Sequence, residues 1–260
     1  MPDTEHQDFI LYSILSSIID HDISLFLEYN LRLIGQEYSL DVAWPGEEVI
    51  RYLVQIISGL FIWAATTCRF IHEGKRFTAK RLDTILEGGG STATVPGKHL
   101  DEIYTTVLEH SITPEYTAEE REESYYMLRR ILGSTVVLFS SLSVYSLGRL
   151  LRVTKEDIDQ TLEDLHAILD IPKDQNRPLH LHHPSFRDFL LNNDRCKDRN
   201  LGVDEKQAHQ MMADSCIRLM SASLKQDICG LKTPGVLIAD VESSRVERSI
   251  PPELQYACLY

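Results

Sequence analysis

The sequence predicts a mostly α chain carrying one small two-stranded β-wing. Apolar residues recur at helical spacing through most of its length. Thr117 with Glu120 and Thr154 with Asp157 place an acid three residues after a threonine, as a helix start does. Residues 169–183 break instead into two short apolar segments around a polar turn at 173–177, the pattern of a hairpin.

Taken in order, Asp22 is placed to cap a helix with Ile23, Phe26, Leu27, Leu31 and Ile34 on one face, ending near Gly35. After Trp44-Pro45-Gly46, Glu47 and Glu48 stand where a helix N-terminus favours negative charge. The spacing predicts one helix from there to about His72, with Gly74 stopping it. Its apolar stretch, residues 53–68, contains Gln55 and Ser58 and is flanked by Arg51 and Arg69. It falls short of the roughly 18–20 apolar residues of a spanning helix and reads as buried. Residues 88–97 carry no packing side chains and read as a linker. Leu100, Ile103, Tyr104, Val107 and Leu108 then form one more amphipathic face before Pro114.

The Thr117 helix continues through Met127, Ile131 and Leu132 to an apolar end at 136–139. A short helix over 146–151 follows, and Thr154 opens a third with Ile158, Leu162, Leu165 and Ile168 on its face. Three helices followed by a wing make a winged helix, a variant of the helix-turn-helix theme. A closing helix at 185–191 and a longer one at 204–224, with Ala208, Met212, Cys216 and Leu219 on one face, complete the pattern.

The composition is that of a folding globular chain: 260 residues, 43% hydrophobic and 25% charged. A net charge of -13 disfavours a nucleic-acid partner. The five cysteines are scattered, with no C-x-x-C, so neither a disulfide framework nor a zinc site is signalled, and a reducing, cytoplasmic setting is expected. The first residues are polar and acidic, unlike a secretion signal.

No G-x-x-x-x-G-K-[ST], G-x-S-x-G or H-E-x-x-H occurs, so the chain is expected not to be an enzyme. His180, His182 and His183 concentrate the chemistry. In a strand, His180 and His182 share a face and His183 takes the other, so at most two could meet one metal, and no metal site is expected. On pattern alone, His183 is a satisfied histidine at a strand-to-helix junction.

The segments LDEIYTTVLEHSI, ILGSTVVLFSSLSVYSLGRLL, DIDQTLEDLHAILDIP, LHHPSFRDFLL, VDEKQAHQMMADSCIRLM, LKQDICGLKTPG and PPELQYACLY, spanning about residues 20–260, resemble fungal NACHT-domain proteins just downstream of their nucleotide-binding core. These are signalling P-loop NTPases of the STAND group, akin to heterokaryon-incompatibility proteins. The resemblance implies a piece of a longer architecture, a truncated form or a short relative. Residues 1–35 would be the end of the core, 36–112 a helical lid, 113–192 the winged helix and 193–260 the start of a helical arm.

By that resemblance His183 corresponds to the histidine that reaches the β-phosphate of bound ADP and holds such proteins closed. Phe61, in Gly59-Leu-Phe-Ile-Trp-Ala64, stands where relatives place a proline of the lid against the adenine; as an ordinary residue it, like Trp63, is a core aromatic. Both contacts require a P-loop domain, so no cofactor is expected for this chain alone, and ATP or ADP with Mg²⁺ is implied for the intact protein.

The function implied is the non-catalytic regulatory portion of a nucleotide-dependent switch. The alternative is a protein-interaction module or decoy for full-length relatives, or one that self-associates. A DNA-binding winged helix is the third reading. It meets Glu156, Asp157, Asp159, Glu163 and Asp164 on its recognition helix, so no nucleic acid and no membrane partner are expected.

Overall fold

A computed structural model describes residues 16–57, 59–88, 96–174, 176–232, 236–237 and 241–260. The proposed linker at 88–97 lies largely outside them. The chain divides into two compact units, residues 1–103 and 104–260, each taken by itself below.

The first unit holds α1 (Ser16–Glu37), α2 (Glu47–Ile57), α3 (Phe61–Glu73), a 3-10 turn (Lys75–Phe77), α4 (Thr78–Gly88) and the start of α5 (Pro96–His110). Ile23, Leu27, Leu31 and Ile34 of α1 are buried, α1 packs on α2 and α3, and α4 packs on α3. Asp22 is therefore not a cap: it lies within α1. The single helix expected from Glu47 to His72 is two helices. Gly59 takes φ +83 and Leu60 is extended, so the chain turns between α2 and α3 although the apolar spacing continues across the break. Trp63 is buried and its Nε1–H donates to the His99 carbonyl at 3.0 Å, whereas Phe61 is largely exposed, edge-on to Phe26. Cys68, on α3, is buried, and that burial pushes its thiol up to about 12.

The second unit is built on α6 (Ala118–Val137), α7 (Val144–Leu151) and α8 (Lys155–Leu162). Thr117 and Glu120 form a reciprocal capping box at α6. Ser143 and Thr154 cap α7 and α8. α8 ends at Leu162, earlier than its apolar face suggested; Leu165 and Ile168 are buried in the turns that follow.

β1 (Leu169–Asp170) pairs antiparallel with β2 (His180–Leu181), Leu169 opposite Leu181 and Asp170 opposite His180. A bridge from Ser143 to Pro178 ties the wing to the start of α7. The fold is thus mostly helical with one small two-stranded sheet, as the sequence predicts.

After the wing come α9 (Ser185–Leu190), α10 (Glu205–Ser223), α11 (Ser243–Ser249) and α12 (Pro252–Leu259). α10 packs on α6, α7 and α12, and α12 packs on α7. No helix among the described residues is long and apolar enough to cross a membrane.

Candidate functional site

The wing's second strand runs directly into α9, and the three histidines at this junction take separate partners. His180 is exposed, with Nδ1 3.1 Å from Ser141 Oγ. His182 extends the ladder through its amide to Ile168 O at 3.0 Å, and its Nε2–H donates to the His166 carbonyl at 3.0 Å. Among the described residues no group of His, Cys, Asp or Glu is arranged to hold a metal ion.

His183 is half-buried and fixed more closely. The Ser185 amide, the first of α9, points at His183 Nδ1 at 3.1 Å, and Ser185 Oγ lies 2.7 Å from the same nitrogen. A nitrogen that receives a backbone N–H must be an acceptor, so the ring's proton sits on Nε2. The Ser185 hydroxyl then donates to Nδ1 and accepts from Tyr104 O–H at 2.8 Å. Tyr104 is only 1% exposed, its ring against Phe186 at 5.1 Å and Phe189 at 5.5 Å. An aromatic core thus orients the hydroxyl, the hydroxyl orients the imidazole, and Nε2–H has no protein acceptor among the described residues. The arrangement leaves one ring N–H of His183 as a donor.

The junction reading of His183 and the donor role are therefore compatible: Nδ1 is satisfied locally while Nε2 is not. Phe61 belongs to the first unit and His183 to the second.

The second unit also carries a basic cleft that no sequence signal had singled out. It encloses about 900 Å³ and is lined by Arg129, Arg130, Lys197 and Arg199, with Tyr126 on its wall and Asp204 the acid among them. Arg129 donates to Asn200 O at 2.8 Å and Arg130 to Leu151 O, whereas Lys197 and Arg199 have no hydrogen bond or ion pair among the described residues. The cations come from α6 and from a loop some seventy residues later, so only folding brings them together. Comparison with family models, characterised proteins and solved structures gives no match.

Proposed function

We propose that this chain is the non-catalytic regulatory portion of a NACHT-type nucleotide switch. It closes over ADP or ATP, with Mg²⁺, held by a P-loop domain whose motif these 260 residues do not contain. The observation that carries the reading is the orientation of His183. With Nδ1 held by Ser185, its Nε2–H remains as the donor a phosphate oxygen requires, at the wing-to-helix position the family resemblance indicates. Such a switch works in the cytoplasm through protein partners and performs no chemistry of its own.

The test joins the chain to a P-loop domain and compares His183 with His183→Asn. Asparagine readily accepts from the amide two residues on, so α9 keeps its first hydrogen bond while the ring N–H is lost. A hydrogen bond to a charged phosphate is worth about 1.5–3 kcal/mol, so ADP retention should fall tenfold or more with the melting temperature little changed. Unchanged ADP retention would reject the reading.

The basic cleft favours a second reading, a stand-alone interaction module whose partner presents an acidic segment. That reading expects the same ADP retention from both proteins.

A further inference from the structure

α1 carries two apolar faces, and among the described residues only one of them is buried. Its 22 residues make a rod about 33 Å long. Ile23, Leu27, Leu31 and Ile34 point into the first unit. On the opposite side Ile18, Leu25, Tyr29 and Leu33 are exposed by 50%, 51%, 57% and 43%. At about 100° per residue, Ile18, Leu25 and Tyr29 fall within one narrow stripe, with Leu33 on its flank. Asp22 and Arg32 lie along the same stripe, are exposed, and make no hydrogen bond or ion pair among the described residues. Glu28, the acid one turn before Arg32, is instead bonded by Ser24 Oγ at 3.0 Å.

The order of these residues is self-complementary. Reversing the helix about the level of Leu27 exchanges position 25 with 29, 22 with 32, 18 with 36 and 21 with 33. Leu25 then meets Tyr29, Asp22 meets Arg32, Ile18 meets Gln36, and His21 meets Leu33. Across the stripe, the two-fold axis of an antiparallel pair keeps each flank on its own side, so Asp22 on one flank and Arg32 of the second copy on the other meet diagonally over the seam.

We propose that α1 is a self-association surface, on which two copies of the chain pair their α1 helices antiparallel about a two-fold axis at the level of Leu27. Each dimer holds two Asp22–Arg32 pairs around a centre of Leu25 and Tyr29. Opposite charge across the seam fixes the antiparallel register, and a parallel pair would set Asp22 against Asp22. One helix pair buries less than the standard interface of roughly 1,600 Å², so the association is expected at micromolar concentration. It concerns the chain without a P-loop domain, to whose core the family resemblance would assign residues 1–35.

The experiment is sedimentation of the full chain over a concentration series. The wild-type protein should show a monomer–dimer equilibrium. Asp22→Arg and Arg32→Asp, each placing like charges at two points of the seam, should each weaken it about tenfold or more. Their combination should restore it, because every pair is opposite again. Leu25→Glu should leave a monomer, with far-UV circular dichroism confirming that this exposed change spares the fold. A wild-type chain that stays monomeric throughout, single reversals without effect, or a double reversal that fails to restore association would each overturn the proposal.

Discussion

Glu109, near the end of α5, shows how one residue couples this chain to pH. Partial burial, and then the negative charge of Asp198, hold its carboxyl above the ordinary glutamate range. A carboxyl raised in the folded state contributes its stability below the unfolded value and loses it as pH rises through the folded one. At neutral pH Glu109 is therefore a liability. Solvent screens most of the effect, so Glu109→Gln should stabilise by about a few tenths of a kcal/mol at pH 7 and give no gain at pH 3. Urea titrations at the two values check this, and equal effects at both would contradict it. The same scale explains what was legible at the candidate site. The residues around His183 indicated a junction histidine, but the direction of the Ser185 hydroxyl beside it was not readable, because that hydroxyl is also bonded to Tyr104, which lies 81 residues from Ser185 in the chain.

Two elements whose starts are set by local side-chain bonds were legible: Thr117 and Thr154 each cap the helix expected of them. The division between α2 and α3 was not, because apolar periodicity records which side faces the core and not where the axis turns. α4 and α12 also escaped the sequence reading. In α12 the reason is chemical, since Glu253 reads as a surface residue yet is fully buried. Its Oε2 accepts from Ser146 Oγ at 2.9 Å, and Arg149 Nη1 lies 2.9 Å from Oε1, at an angle too oblique to count as a hydrogen bond. Both partners lie on α7, so this carboxylate fixes α12 to α7.

The two ends of that ion pair should respond unequally. Arg149 is 48% exposed at its side chain and can return to water, whereas Glu253 cannot. Arg149→Met leaves a buried charge unpaired and should cost about 3–5 kcal/mol. Glu253→Gln keeps a partner for Ser146 and should cost only about 1–2 kcal/mol. Urea denaturation measures both, and equal losses would show that the pair is not what holds α12.

At the scale of the whole molecule, an excess of 13 negative charges coexists with a cleft lined by four cations. Net charge, being a sum, conceals such a separation, which is why composition could disfavour nucleic acid without revealing where an anion would be welcome. A division of the chain was legible in the linker at 88–97, but its boundary at 103/104 was not, since that falls inside α5, where the amphipathic pattern is unbroken.

Each unit nevertheless carries its own reporter. Cys68 is buried in the first and Cys196 in the second. With its thiol pushed up to about 12, Cys68 supplies almost no thiolate at neutral pH while the first unit stays closed. Alkylation of Cys68 should therefore proceed only through molecules in which that unit has opened, and its rate, measured beside that of Cys196 by mass spectrometry of the peptides, clocks the two openings separately. Unequal rates mean that the halves breathe independently, and equal rates that they open as one cooperative body.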